Sequence, residues 1–255
     1  MNKTYAITDL HGMWNLWEQI SEYCDETDTI YFLGDAIDRG IDGLRVMESL
    51  LKDKRVIYLL GNHEEFFLNI APKLKSIKNI NEILVSSDDD LYLWLCNGGY
   101  DTMKSFLYAT REEQDWFLNE LSKLEDLDIY INKYDKTIYL CHAGTSPDYD
   151  KTDFLLLGNN NPYTWDRHHF YKPWAKEGLE DCFVVHGHTP VQYLWQKHIV
   201  QPHGRMVNEK LLPIIATYAD GHKFDLDLGC FETKTVALFD LDELKVEKYF
   251  EIEED

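Results

Sequence analysis

Three times in its first 64 residues the chain runs through a few apolar residues and then stops at a polar turn containing glycine. Tyr5 to Ile7 leads into Asp9 to Gly12, Thr29 to Leu33 into Gly34 to Gly40, and Val56 to Leu60 into Gly61 to Glu64. The stretches between them, Trp14 to Tyr23 and Leu44 to Leu51, carry apolar residues at helical spacing. This β-α-β-α-β pattern predicts an α/β fold with parallel strands and helices covering the sheet. In such sheets ligands bind beyond the carboxyl ends of the strands, so the three turns should meet at one rim.

Residues from about 65 to 123 read as helical, with Ser86 to Asp90 as a polar break and Asn97-Gly98-Gly99 as a turn. The expectation is a helical lid insertion within a single domain spanning 1–255. Strand character returns at Ile129 to Asn132, Thr137 to Cys141, Phe183 to Val185, Phe224 to Leu228 and Thr235 to Phe239. Pro147 to Glu180, rich in Asn, Pro and aromatics, predicts a long loop near the site, and the acidic stretch Glu251 to Asp255 a frayed end.

A chain of 255 residues buries enough surface to build a core without cross-links. Its five cysteines include no C-x-x-C pair, which predicts small buried thiols in a reducing compartment. No apolar run approaches membrane-spanning length, and an apolar strand begins at Tyr5 with no room before it for a cleavable signal, so cytoplasmic residence is expected. The formal charge of -21 disfavours nucleic acid and anionic membranes as partners. It would also repel an anionic substrate unless metals and arginines reverse the field locally.

An acid in a turn is ordinarily a turn-former. Here, however, successive strands bring Asp9 and His11, then Asp35, then Asn62 to one rim, which gathers hard oxygen and imidazole ligands where dications bind. The blocks Asp9-Leu10-His11-Gly12, Gly34-Asp35-Ala36-Ile37-Asp38-Arg39-Gly40 and Gly61-Asn62-His63-Glu64 resemble the three signature blocks of the phosphoprotein phosphatases, within the calcineurin-like metallophosphoesterases. Downstream, Cys141-His142-Ala143-Gly144, Trp165-Asp166-Arg167 and Gly187-His188-Thr189-Pro190 resemble the later blocks of the bacterial and phage branch. That branch includes lambda phage-type Ser/Thr phosphatases and symmetrical diadenosine tetraphosphatases. Trp94, Asn97-Gly98-Gly99 and Thr102 resemble its lid, and Asp227-Leu228-Gly229-Cys230 its last block.

The resemblance implies a four-layer α/β/β/α sandwich holding two divalent metal ions, manganese or else iron or zinc. Asp9, His11 and Asp35 would hold one ion, and Asp35, Asn62, His142 and His188 the other, with Asp35 as the bridge. The Gly-His-Thr block selects His188 over its neighbour His186. Arg39 and Arg167 would grip phosphate oxygens, His63 would protonate the leaving oxygen, and Asp38 would orient His63. A metal-bridging hydroxide would attack phosphorus directly, with no phosphoenzyme. The leading expectation is a phosphomonoesterase of the Ser/Thr or dual-specificity protein phosphatase kind, acting on phosphoserine, phosphothreonine or phosphotyrosine in a protein or peptide, or on a small phosphoester. A symmetrical bis(5'-nucleosyl)-tetraphosphatase is the alternative, and a non-catalytic phospho-ligand scaffold, which would need a lost ligand, is the second. The chain departs from the pattern at Thr8, where the family has glycine, and at Phe231-Glu232-Thr233, where glycines often stand. His168 and His169 are expected to be solvated and without a role.

Overall fold

The structure, a computed structural model, describes residues 2–77, 88–145, 161–172, 174, 178–207 and 210–252. The expected opening unit is present: β1 (Thr4–Ile7), α1 (Trp14–Tyr23), β2 (Thr29–Phe32), α2 (Gly43–Lys52) and β3 (Val56–Tyr58), followed by α3 (Asn62–Ser76). β2 pairs in parallel with β1 on one side and β3 on the other. With β11 (Thr235–Asp240) and β12 (Lys245–Glu251) these strands form a five-stranded sheet of order β12-β11-β1-β2-β3, in which β11 runs antiparallel to β1.

The strand period of two explains how this sheet is covered. Tyr5 and Ile7 of β1 and Ile30 and Phe32 of β2 point into a core shared with Leu16, Trp17 and Ile20 of α1 and Val46, Met47 and Leu50 of α2. Their neighbours Ala6 and Tyr31 point the other way, with Leu33 and Leu59, onto a second sheet that contributes Ile138, Leu140, Phe183, Val185 and Phe224. Each fully buried side chain of the size of Ile7 or Phe32 contributes about 1.5–3 kcal/mol. The second sheet has the order β4-β5-β6-β10-β9, from β4 (Leu127–Ile131), β5 (Thr137–Cys141), β6 (Cys182–His186), β10 (Lys223–Asp225) and β9 (Ala216–Tyr218). Its three central strands are parallel and its edges antiparallel. β7 (Gly204–Val207) and β8 (Lys210–Pro213) pair separately. The α/β architecture of two stacked sheets flanked by helices thus agrees with the expected layering.

Within 65–123 the described residues hold α3, α4 (Asp89–Cys96), α5 (Tyr100–Tyr108) and α6 (Arg111–Leu121). Asp88 caps α4 through the Leu91 N–H at 3.1 Å, and a Thr110–Glu113 capping box starts α6. Residues 86 and 87 of the expected polar break lie outside the described residues. Phe67 of α3 meets Trp94 of α4 and Phe106 of α5, and all three belong to the same apolar core as α1 and α2. Of the expected long loop, 147–160, 173 and 175–177 lie outside the described residues; Pro162–Trp165 forms a short helix, α7, and His168–Tyr171 a 3-10 turn. The expected strand at Phe224 to Leu228 ends at Asp225. There Asp225 accepts the Asp227 N–H at 3.0 Å and Asp227 the Gly229 N–H at 2.8 Å, side-chain turns that compete with the ladder. No helix among the described residues is long and apolar enough to cross a membrane.

Candidate metal centre and active site

The first two turns are laced together by backbone bonds: the N–H groups of Asp9, His11 and Gly12 donate to the carbonyls of Gly34, Asp35 and Ala36 at 3.0, 2.9 and 2.7 Å. Strain is concentrated here. Asp9, His11, Asp35, Asp38, Arg39 and His188 all have positive φ, between 42 and 71°, a region that costs side-chain-bearing residues about 1–3 kcal/mol each. Glu64, on the first turn of α3, offsets part of this. Its buried carboxylate accepts the N–H groups of Asp35 (2.8 Å), Ala36 (2.9 Å) and Gly61 (3.1 Å) and the Tyr58 hydroxyl (3.0 Å). Burial and the charge of Asp35 nonetheless push it up to about 7. In the sequence, the helix N3 position of Glu64, three residues after Gly61, signals only the bond back to the Gly61 N–H. Gly61 passes so close to Asp35 that an added Cβ would strike both its Oδ1 and its backbone nitrogen. Gly61→Ala should therefore destabilise the protein by about 1–3 kcal/mol, read as a lower urea midpoint at unchanged slope.

All six sequence-predicted ligands converge. His11 directs Nδ1 at the Ile37 carbonyl (2.9 Å), so that nitrogen carries the proton. Its Nε2 is buried without a hydrogen-bond partner and faces Asp9 Oδ1 at 3.8 Å and Asp35 Oδ2 at 3.7 Å. These gaps are too wide for hydrogen bonds and suit ligand atoms sharing one cation, each about 2.1 Å from it. His142 directs Nδ1 at the Leu33 carbonyl (2.8 Å) and turns Nε2 toward Asn62 Oδ1 (2.9 Å) and Asp35 Oδ1 (3.3 Å). His188 brings Nδ1 to the same Asn62 oxygen at 2.8 Å. A neutral His142, its Nδ1 proton given to Leu33, would turn the lone pair of Nε2 toward two oxygens, so a proton or a cation belongs among them; His188 Nε2 is buried without a hydrogen-bond partner. The donor set of carboxylates, an amide oxygen and imidazoles fits divalent metal, and His11-Asp35-His63 and Asp9-Asp35-His142 are both close enough to hold an ion. Asp35 belongs to both groups.

Electrostatics follow from the crowding. Burial raises the Asp9 carboxyl, and Asp35 adds to it. For Asp35 burial acts upward too, but the surrounding His142, His63 and His11 outweigh it and hold the carboxyl well below its usual range. Burial lowers His142, yet the carboxylates, Asp35 first, carry it up to about 9. A histidine whose folded pKa exceeds its ordinary 6.5 stabilises fully below pH 6.5 and loses that contribution as the pH rises to about 9. The chelated protein should therefore lose thermal stability across pH 6.5 to 9, and added Mn²⁺, replacing the proton, should shrink the loss; melting scans with and without EDTA check this.

Thr8 fits without a left-handed backbone and donates its hydroxyl to Asp9 Oδ2 at 2.5 Å, while the Cys230 thiol donates to the Asp9 carbonyl at 2.7 Å. His63 donates from Nδ1 to Asp38 Oδ2 (2.7 Å), which also accepts the Trp94 indole N–H (2.8 Å). The Asp38 N–H donates to Thr102 and the Arg39 N–H to the Gly98 carbonyl, so α4, α5 and their turn brace this pair. Burial alone would lower His63, but Asp35 and Asp38 raise it above its ordinary value. Arg39 Nη2 lies 3.5 Å from His63 Nε2, a spacing at which one anionic oxygen between them could accept from both. Arg167 is exposed, bonded through Nε to Thr189 (3.1 Å), and near enough to His188 to help burial depress that ring.

The expectation of two solvated histidines needs correction. His168 is exposed and leans on Asp166 at 3.2 Å, but His169 is fully buried, packed on Phe170 and edge-on to His186. The 3-10 turn directs it inward, and the Tyr218 hydroxyl joins it (3.3 Å) to His186 (2.7 Å). Burial drives His186 down to about 3, in keeping with a neutral strand-end residue. The expectation of buried thiols holds for Cys24, Cys141 and Cys230, whereas Cys182 is half-buried and Cys96 exposed.

Known proteins match this picture. The chain is 28% identical over 158 residues to a symmetrical bis(5'-nucleosyl)-tetraphosphatase of Wigglesworthia glossinidia brevipalpis, covering 59% of this chain and 48% of that protein. It is 25% identical over 215 residues to the asymmetrical bis(5'-nucleosyl)-tetraphosphatase PrpE of Anoxybacillus flavithermus, covering 73% and 78%. The match thus spans about half the length of the first relative. A crystal structure provisionally assigned as a diadenosine tetraphosphatase superposes with a TM-score of 0.57 at 17% identity, covering 98% of this chain and 93% of the other, a likeness of fold. The family model described as calcineurin-like phosphoesterase matches residues 3–222, and the chain accordingly belongs to the calcineurin-like phosphoesterases.

Proposed function

We propose that this phosphoesterase hydrolyses the polyphosphate bridge of dinucleoside polyphosphates, using two divalent ions, with manganese as the first choice. The observation that carries the chemistry is the meeting of unpartnered His11 Nε2 with two carboxylates, beside Asn62 Oδ1 facing two imidazoles, all next to the Arg39–His63 pair. The relatives named as bis(5'-nucleosyl)-tetraphosphatases, of both the symmetrical and the asymmetrical kind, favour this substrate class over the phosphoprotein that leads from sequence alone.

When bound, two dications neutralise phosphate oxygens and make a water acidic enough to attack at neutral pH. Asp9, His11 and Asp35 would hold one, and Asp35, Asn62, His142 and His188 the other. The Arg39 guanidinium, half-buried beside His63, grips the scissile phosphate and favours the state in which its charge spreads. Asp38 fixes the His63 ring with Nδ1 protonated, which leaves Nε2 to deliver a proton to the departing oxygen. Arg167, in the open, meets a more distant phosphate. No side chain of the chain need be phosphorylated.

The test is a panel on Mn²⁺-loaded protein: diadenosine tetraphosphate, a phosphoserine peptide and p-nitrophenyl phosphate. Two molecules of ADP would mark symmetrical cleavage, and AMP with ATP asymmetrical cleavage. Turnover of the peptide with none of the dinucleotide would return the substrate to phosphoprotein; no turnover of anything with any dication would end the hydrolase reading.

A further inference from the structure

A cavity of about 350 Å³ is lined in part by Arg39. Its floor is backbone: Gly12 and Gly40 approach so closely that a Cβ on Gly12 would lie 2.8 Å from the Gly40 carbonyl carbon. Trp14, Ile41 and Phe231 line it together with the polar Asn15 and Asp42 and with Lys234, whose ammonium lies 4.7 Å from the centre of the Phe231 ring. Ile41, two residues after Arg39, is 75% exposed and so free to contact a ligand. Phe231 belongs to the segment where this chain departs from its family's glycines, and without its ring one wall would be missing.

We infer that this notch is the subsite for one nucleobase of the substrate, reached from the scissile phosphate across Arg39. The inference rests on the dinucleoside reading above and adds where the base goes. Arg39 supplies the continuity: its guanidinium lies 3.5 Å from His63, and the same residue lines the notch. A nucleobase is flat and apolar on its faces and has donors and acceptors on its edge. It therefore matches aromatic and aliphatic walls with an amide and a carboxylate beside them. A peptide flanking a phosphoserine would instead need an extended groove with backbone partners, whereas this is a short notch over the packed backbones of Gly12 and Gly40.

Phe231→Gly and Ile41→Ala are the variants, compared with the unaltered Mn²⁺-loaded protein on diadenosine tetraphosphate and p-nitrophenyl phosphate. Ile41, open to solvent, guards against a Phe231 variant that fails to fold. The KM for the dinucleotide should rise about tenfold for Phe231→Gly and about threefold for Ile41→Ala, with kcat/KM for the nitrophenyl ester nearly unchanged. If the unaltered protein cleaves no dinucleotide, the substrate reading fails and the subsite with it. If it does, but both variants leave the dinucleotide KM unmoved or shift both substrates equally, the subsite alone is overturned.

Discussion

Asp35→Asn protein is expected to fold and to lose about a thousandfold or more in kcat/KM, about 4 kcal/mol of transition-state stabilisation. The size follows from position. Asp35 Oδ2 faces His11 while Oδ1 faces His142, so one carboxylate reaches both proposed ligand sets and an amide there weakens both. The amide can still accept the His63 N–H, now 3.0 Å from Oδ1, and fits the same space, so the fold should survive. A ligand at a hundred times its dissociation constant stabilises by about 2.7 kcal/mol, worth about 5–10 °C in Tm for a chain of this size. Mn²⁺ should raise the Tm of the unaltered protein by that much and of Asp35→Asn hardly at all. A variant that kept both its activity and its metal-dependent Tm would remove Asp35 from the centre.

His63→Ala should separate chemistry from metal binding. The ring contributes proton delivery, so kcat should fall about 10²- to 10⁴-fold on a substrate with a poor leaving group. The loss should be far smaller on p-nitrophenyl phosphate, whose leaving group needs no proton, and the metal-dependent Tm should persist. The pH profile adds a sign. The acid acts while protonated, and the Asp38 carboxylate, bonded to the ring, raises His63, so the rate should fall on the alkaline side as that proton is lost. Asp38→Asn removes one of the raising charges and should move that fall toward lower pH. An unchanged profile would show that Asp38 does not act through His63.

The opening half of the sheet was legible because local and tertiary demands agree there. Trp14–Tyr23 and Thr137–Cys141 occupy the spans their periodicity predicts, and β2 and β3 differ only at their last residues. β12 escaped because Lys245–Glu251 alternates charge with apolar residues at an edge, which reads as a polar tail. β7, β8 and β9 are three or four residues long and take their strand character from pairing partners that the sequence does not name. The gathering of Asp9, His11, Asp35 and Asn62 at one rim was legible in the three strand-to-turn stops, whereas His142 and His188 entered only through the resemblance of their blocks. Burial of His169 was not legible, because the 3-10 turn that aims it inward leaves no periodic trace. Nor was the role of Glu64 as acceptor for three N–H groups, which exists only once two strands and a helix have met.

The proposed ligands are divided between the two halves of the sandwich. Asp9, Asp35 and Asn62 follow strands of the first sheet, while His142 and His188 follow β5 and β6 of the second. Ions held there act as rivets through a seam that is otherwise closed by dispersion between side chains such as Ala6, Tyr31, Leu140 and Val185. Starved of metal, the protein should come apart along that seam first, with amides facing it exchanging hydrogen sooner than those beneath α1 and α2.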